Sequence, residues 1–317
     1  MSTQQKLMTN WRWWICSLLF VATTVNYLDR QVLSLTYEEF IKPEFHWNEV
    51  DYANVTGVFA IVYALAQLFA GNIVDKLGTK RGYAVAICVW SAGACLHALC
   101  GLATESYTGI SSRLELVQAT GDMAVLIATF SVYAFILARC VLAIGEGGNF
   151  PAAIKATAEY FPKKDRAFAT AIFNSGSSIG ALVAPLSIPP LAAQFGWEWA
   201  FLIIGALGFV WMGFWVFMYR KPHENPHVNQ LELEYIEQDK VNDVAFEQLV
   251  PDEAATPTPK GFLHFFKYRQ TWAFALGRFL TDGVWWFFLF WTPSYLNTQF
   301  GIKTSDPLGM ALIFTLY

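Results

Sequence analysis

The sequence of 317 residues predicts an all-α, polytopic membrane protein. Hydrophobic residues make up 55% of the chain and charged residues 15%, whereas a soluble domain carries about 25% charged residues. Apolar runs of about 20 residues recur, and a helix of that length crosses the hydrocarbon core with its backbone hydrogen bonds satisfied. We expect seven spans and the beginning of an eighth near Pro307. The seven lie at 13–34, 51–73, 82–102, 128–158, 167–191, 198–219 and 271–298.

The positions of Lys and Arg predict a cytoplasmic N-terminus, because cytoplasmic loops carry more of these residues than outer loops do. With this orientation the outer loops hold Lys42, Arg113 and Lys303. The inner loops are much richer and hold Lys76, Lys80, Arg81, Lys163, Lys164, Arg166, Arg220, Lys221, Lys267 and Arg269. The same topology predicts a long outer loop at residues 103–127.

The order of the spans predicts a two-lobed helix bundle. Six spans, a polar and acidic segment and then new spans are the layout of a two-lobed transporter. We divide the chain into an N-terminal six-helix lobe (1–221), a cytoplasmic central loop (222–268) and an incomplete start of a C-terminal lobe (269–317). In the loop, Leu231, Tyr235 and Asp239 recur at every fourth position, which predicts a short surface helix. We expect a fragment that does not transport by itself.

Charged residues inside two spans are the strongest functional signal. Asp29 and Arg30 end the first span, and Arg139 and Glu146 lie within the fourth. Each such charge costs about 2.5–3.5 kcal/mol at the bilayer centre, so a chain retains it for a pathway, a partner or a charged ligand. Two arginines beside two acids predict an anion site coupled to titratable groups. The alternatives are interfacial residues that close the first span and an ion pair that only locks helices together.

Helix geometry refines this prediction. Asn26 and Arg30 share a helix face, and Tyr27 lies one turn from Arg30. Arg139 and Glu146 are separated by two turns, about 10 Å. The fourth span should be loosened by Gly145, Gly147 and Gly148 and kinked at Pro151.

The loop after the second span predicts a gate. Its key residues are Gly71, Asp75, Gly78, Lys80 and Arg81. We expect Gly71 to allow two helices to approach, and Asp75 to pair with a basic residue or lie at a helix N-terminus. This pattern resembles the signature of the major facilitator superfamily between its second and third helices. An ordinary tight loop with positive charges on the inner side is the alternative.

Three longer stretches resemble one branch of that superfamily, the anion:cation symporters, and within it the hexuronate transporters. They are NYLDR (26–30), RCVLAIGEGGNFPA (139–152) and FPKKDRAFATAIFNSGSSIGALVAP (161–185). YRKPHENP (219–226) and WWFFLFWTPSYL (285–296) resemble the hexuronate transporters in particular. The resemblance covers essentially the whole chain. It implies proton-coupled uptake of an organic anion, a hexuronate above all, by alternating access in the bacterial inner membrane.

The resemblance also implies roles for individual residues. Substrate binding is implied for Tyr27, Arg30, Arg139 and a polar residue of the fifth helix that corresponds to Asn174 or Ser178. Proton coupling is implied for Asp29 and Glu146. We expect a monomer in membrane lipid that binds a small organic anion and protons, with no cofactor, metal or nucleic acid.

Other functions and other residues remain open. The substrate could instead be an aldonate, glucarate, an aromatic carboxylate or inorganic phosphate, and a nutrient sensor on the same fold is a remote alternative. The sequence contains no catalytic constellation, so we expect no enzyme. We interpret His97 as a helix-interface residue, Gly176 and Gly180 as packing positions, and Arg278 with Asp282 as a structural pair. The aromatic residues Trp285, Trp286, Trp291 and Tyr295 either pack and form an interfacial belt or contact a sugar ring.

Overall fold

The computed structural model describes residues 8–110, 112–249 (side chains to residue 239) and 266–316. Within these ranges every regular element is a helix. The α-helices are α1 (Trp11–Thr36), α2 (Lys42–Phe45), α3 (Glu49–Leu77), α4 (Thr79–Ala98), α5 (Cys100–Thr108), α6 (Arg113–Gln118), α7 (Asp122–Glu146), α8 (Asn149–Tyr160), α9 (Lys163–Phe195), α10 (Trp197–Met218), α11 (Gln230–Leu249), α12 (Arg269–Phe300) and α13 (Pro307–Leu316). A π-helical turn, Tyr37–Ile41, follows α1.

The lengths and apolar character of these helices confirm a multi-pass membrane protein. Five stretches of the described chain are long and apolar enough to cross a bilayer: α3, α7 with α8, α9, α10 and α12. The pair α4 and α5, bent by 44°, forms a sixth if it is one span. Helix α1 has 26 residues, a length of about 39 Å. Its polar second half, with Asn26, Asp29 and Arg30, lowers its mean hydropathy.

Two sequence predictions about the fourth span were wrong in detail. The helix begins at Asp122 rather than at residue 128, and the preceding stretch, expected to be a loop, contains α5 and α6. The interruption between α7 and α8 lies at residues 147–148, before Pro151. Pro151 is the third residue of α8, where a backbone N–H has no partner within its own helix, so the missing donor does not break the helix.

Glycines allow close helix packing at several places in the described chain. An ideal Cβ on Gly176 would lie 2.5 Å from the Phe20 carbonyl oxygen, and one on Gly180 would lie 2.5 Å from that of Thr24. These two positions let α9 lie directly against α1, as expected from their spacing. Between α4 and α7, a Cβ on Gly93 would lie 2.5 Å from the backbone nitrogen of Leu142. The charged residues of α1 and α7 are therefore held in a tightly packed bundle.

Hydrogen bonds join the ends of α1 and α3 to α12 and to the connection that follows it. The Tyr52 hydroxyl donates to the Phe290 carbonyl at 2.7 Å, and the Ser294 hydroxyl donates to Glu38 at 2.6 Å. Glu39 accepts from the Thr304 hydroxyl at 2.6 Å and from the Ser305 hydroxyl at 2.5 Å. We call this half of the molecule the closed end. The other half of α12 is exposed, with Phe274 and Phe279 both more than three-quarters accessible.

The predicted surface helix of the central segment is present as α11, and it is docked rather than free. Tyr235 donates to Asp165 at 2.7 Å, and Asp239 accepts from the backbone N–H of Lys163 at the start of α9. Buried Glu232 contacts the start of α1. The Pro- and Thr-rich stretch 251–260 lies outside the described residues.

Candidate functional site

A buried ion pair between α1 and α7 is the centre of the candidate site. The Arg30 guanidinium donates twice to Oε2 of Glu146, from Nη2 at 2.5 Å and from Nε at 3.0 Å. Both side chains are almost fully enclosed. A buried ion pair is costly to form and strongly destabilising to break. Such a pair is weak evidence for stability alone, and its position in a membrane span favours a functional role.

Aromatic rings surround the Arg30 guanidinium. Its central carbon lies 4.6 Å from the ring centroid of Tyr63, 4.9 Å from that of Tyr27 and 5.5 Å from that of Trp286. Rings at these distances stabilise a cation through their quadrupoles, and more strongly where water is excluded. The aromatic residues therefore hold the Arg30 guanidinium beside Glu146.

Asp29 and Arg139 are buried near this pair, and the Phe59 ring contacts both arginines. Asp29 is inaccessible to solvent and Arg139 is 1% exposed. Neither carboxylate oxygen of Asp29 and none of the guanidinium nitrogens of Arg139 has a hydrogen-bond partner among the described residues. The Arg139 guanidinium lies 5.1 Å from the ring centroid of Phe59. Buried charges without a partner are rare in proteins and mark sites where another state or a ligand provides one.

A cavity of about 580 Å³ reaches Arg30 from one side. Its wall is formed by Tyr27, Arg30, Tyr63, Gln67, Phe150, Asn174, Ser177, Arg278, Thr281, Asp282, Trp285 and Trp286. Tyr27 and Arg30 lie beyond the middle of α1, and the other lining residues extend from there toward the start of α9, the start of α12 and the end of α3. The closed end lies on the opposite side of Arg30. The cavity combines aromatic walls with a few polar groups, as small-molecule sites do.

The structure brings together part of the predicted site. Tyr27, Arg30 and Asn174 line the cavity, and Glu146 is bonded to Arg30. Arg139 does not line the cavity, and neither does Ser178. Sequence reasoning missed Tyr63 and Gln67 on α3, where the Gln67 amide donates to the Tyr63 hydroxyl at 2.7 Å. Their i, i+4 spacing in an apolar span was the available signal.

The predicted gating residues lie at the same end of the bundle as the mouth of the cavity. Asp75 accepts from Lys155 of α8 at 2.7 Å, which is the basic partner that the sequence allowed. Next to this pair, Thr79 donates to Glu159 at 2.6 Å, and the Tyr219 hydroxyl donates to the other oxygen of Glu159. The loop is thereby tied to the ends of α8 and α10.

The described residues place no atom within 4 Å of an ideal Cβ at Gly71, so among them Gly71 mediates no close helix approach. Gly82 does so instead, since its Cβ would lie 2.9 Å from the Cα of Val74. Gly78 has a different reason to be glycine, because its φ of +77° favours a residue without a side chain.

A comparison with models of protein families shows to which family this chain belongs. The model of the Major Facilitator Superfamily matches residues 19–317. The chain belongs to the major facilitator superfamily. The resemblance noted in the sequence is thus confirmed for nearly the whole chain, and the helical architecture agrees with this superfamily.

Several curated members of the superfamily are similar to the chain. It is 28% identical to the hexuronate transporter of Escherichia coli K12 over 295 residues, which cover 93% of this chain and 60% of the relative. It is 27% identical to the galacturonate transporter of Dickeya chrysanthemi, and the match covers 93% of this chain and 74% of the relative. It is 29% identical to the probable galactarate/D-glucarate transporter of E. coli K12, and the match covers 92% of this chain and 61% of the relative. The chain therefore spans about 60% of the length of the first of these relatives, and these relatives are transporters, not enzymes.

Solved structures share the fold. A bacterial homologue of the human lysosomal transporter Spinster, in an inward-facing and unoccupied conformation, superposes with a TM-score of 0.63 at 18% identity, covering 96% of this chain and 60% of that one. A D-xylose-proton symporter superposes with a TM-score of 0.58 at 15% identity, covering 95% and 65%. At these identities the likeness concerns the fold.

Proposed function

We propose that the whole protein takes up a sugar acid, a hexuronate in the first place, together with protons across the bacterial inner membrane. The observation that carries this proposal is the buried Arg30–Glu146 pair at the end of a cavity with aromatic and polar walls. A cation held by a titratable partner can exchange that partner for the carboxylate of a ligand. The similarity to transporters of hexuronate and galacturonate supports this substrate class.

The proposed coupling starts with protonation of Glu146. While Glu146 is ionised, it occupies Arg30 and leaves little net charge in the site. A proton on Glu146 frees the guanidinium, which then binds a substrate carboxylate through two parallel hydrogen bonds. Two unit charges 4 Å apart interact by about 4 kcal/mol at an effective dielectric constant of 20, so proton and anion binding favour each other strongly. This exchange couples uptake to the proton gradient.

Alternating access then carries both ligands across the membrane. The N-terminus is cytoplasmic in the proposed orientation, so the cavity faces the cytoplasm and the closed end faces outward. The bundle 1–221 and a C-terminal lobe that begins at residue 269 rock around the midplane site. Arg139 and Asp29, which lie away from the cavity here, act in the outward-open state, where Arg139 contacts the substrate and Asp29 shares in proton coupling. The protein works as a monomer in lipid.

Uptake of labelled glucuronate and galacturonate tests this function. The whole protein is produced in bacterial cells without their own uronate carrier, and uptake is followed with and without a protonophore. We expect accumulation that collapses with the protonophore. No uptake by protein present in the membrane contradicts the substrate, and a panel of aldonates, sugar dicarboxylates, aromatic carboxylates and phosphate then identifies another anion.

Two variants test the residue roles. Arg139→Ala should abolish uptake, and wild-type uptake by this variant would exclude Arg139 from the site. Glu146→Gln keeps the shape of the side chain but binds no transferable proton. It should lose accumulation driven by the proton gradient and retain exchange of labelled for unlabelled substrate. Unchanged accumulation would show that Glu146 is not the coupling acid.

A further inference from the structure

A second ion pair lies on the α12 wall of the cavity that reaches Arg30. Nε of Arg278 lies 2.9 Å from Oδ2 of Asp282, one turn further along α12. Both side chains line the cavity together with Arg30 and Asn174. The sequence alone suggested a structural pair, but a pair that only joins two turns of one helix does not need to face a ligand cavity.

The two arginines of the cavity differ in their surroundings. Arg30 is 2% exposed and fixed by rings and by Glu146, whereas the Arg278 side chain is 69% exposed. Arg278 is thus the more exposed of the two cations among the described residues, and its charge is balanced by Asp282. Among the cavity-lining residues of the described chain, Arg30, Arg278 and Asp282 carry the formal charges. The α12 wall is therefore close to neutral only as long as Asp282 is ionised.

This charge pattern discriminates between two kinds of sugar acid. A monocarboxylate bound at Arg30 presents hydroxyl groups to α12, and an ionised Asp282 accepts their hydrogen bonds. A sugar dicarboxylate presents its second carboxylate to the same wall, where Asp282 repels it and competes with it for Arg278. Discrimination by a repulsive group against the wrong ligand is a common route to specificity.

We propose that Asp282 is a specificity-determining residue. By pairing with Arg278, it makes the α12 wall accept the hydroxyl end of a sugar monocarboxylate. The same pairing makes this wall reject the second carboxylate of a sugar dicarboxylate. This inference rests on the proposed function, because it assumes that Arg30 binds the first carboxylate. It assigns Arg278 a latent role: without Asp282, this guanidinium becomes a second carboxylate site.

Competition during uptake tests the inference. Labelled glucuronate uptake by the whole protein is inhibited with unlabelled galacturonate or with unlabelled galactarate, and the ratio of the two half-inhibitory concentrations is measured. In Asp282→Asn we expect the ratio to move about tenfold in favour of galactarate, equivalent to roughly 1.4 kcal/mol. The double variant Arg278→Gln/Asp282→Asn should lose this gain. Asp306→Asn, an equal charge change at an exposed site outside the cavity, should leave the ratio unchanged.

The outcomes separate this inference from the proposed function. If wild-type protein takes up glucuronate but the ratio is the same in Asp282→Asn, the inference is wrong and the proposed function stands. A gain that persists in the double variant also overturns it, since Arg278 would not be the new site. If the wild type takes up no glucuronate, both fail. Membrane levels are checked by immunoblotting, and Asp282→Ser replaces Asp282→Asn if that variant does not reach the membrane.

Discussion

At the scale of single residues, the pairing of Arg30 with Glu146 controls the candidate site. The two residues are 116 positions apart in the chain and belong to α1 and α7. The Arg30 guanidinium bonds Glu146 and contacts aromatic rings, and the two side chains of the pair are almost fully enclosed although the cavity reaches Arg30. Removal of the pair should therefore have a stability effect that an exposed pair lacks.

We expect Arg30→Gln to destabilise the purified protein by about 3–5 kcal/mol, because it leaves a buried carboxylate without a partner. The double variant Arg30→Gln/Glu146→Gln should recover most of this loss, since both partners are then neutral. The matched control is Lys155→Gln, whose partner Asp75 is largely exposed and which should cost less than about 1 kcal/mol. Thermal unfolding in detergent measures the stability of each variant relative to the wild type. Equal losses of stability in Arg30→Gln and Lys155→Gln would contradict a special contribution of the buried Arg30–Glu146 pair.

At the scale of elements, α11 completes the N-terminus of α1. The first residues of a helix have backbone N–H groups without partners inside the helix. Asn10, which precedes α1, makes no side-chain cap. Instead Glu232 accepts from the backbone N–H of Trp11 at 3.0 Å and of Arg12 at 3.1 Å, and also pairs with the Arg12 guanidinium at 3.1 Å. A carboxylate at this position is favoured by the helix dipole as well.

We expect Glu232→Gln to loosen the docking of α11 and the first turn of α1. A charge-assisted hydrogen bond contributes about 1.5–3 kcal/mol, and buried Arg12 loses its charged partner. Hydrogen–deuterium exchange should become faster in both segments. Glu234→Gln, on the exposed side of the same helix, should leave exchange in α1 unchanged. Equal exchange in wild type and Glu232→Gln would show that α11 is held by its other contacts.

At the scale of the whole molecule, the closed end links α1 to α12 and to the connection before α13 through carboxylates. Glu39 is the clearest of them. Burial by itself raises the pKa of Glu39, but hydrogen bonds from Ser305 and Thr304 outweigh burial and hold the pKa below its ordinary value of 4.5. A lowered pKa means that the ionised form stabilises the contact. This contribution is fully present above pH 4.5 and is lost as the pH falls through the lowered pKa.

We therefore expect acid to open the closed end. Spin labels at the exposed positions Val50 and Leu308, in a cysteine-free background, report the distance between the start of α3 and α13. In wild type the distance distribution should be the same at pH 8 and pH 5 and should broaden below pH 4.5. Glu39→Gln should broaden it already at pH 7, whereas Glu115→Gln, on the exposed side of α6, should not. A distribution independent of pH and of Glu39 would exclude this role.

A large part of the fold and part of the site could be predicted from the sequence. Apolar length identified the spans, and helical periodicity placed Tyr27 correctly beside Arg30, because side-chain directions within one helix follow from its geometry. The break at residues 147–148 lies at glycines expected to loosen the span, but the kink was expected at Pro151, and helices α5 and α6 were not predicted. Arg139 was expected beside the ligand, yet it lies outside the cavity.

The sequence by itself determined that this is a multi-pass helical membrane protein of the major facilitator superfamily, with Asp29, Arg30, Arg139 and Glu146 inside its first and fourth spans. Composition, period and motif spacing carry this information, because each depends on residues close together in the chain. Only the tertiary structure decided that Glu146 bonds Arg30, that Glu232 caps α1, and that Arg278 and Asp282 face the same cavity as Arg30. These pairings join residues of distant helices, and their choice depends on how the helices pack together rather than on any local preference.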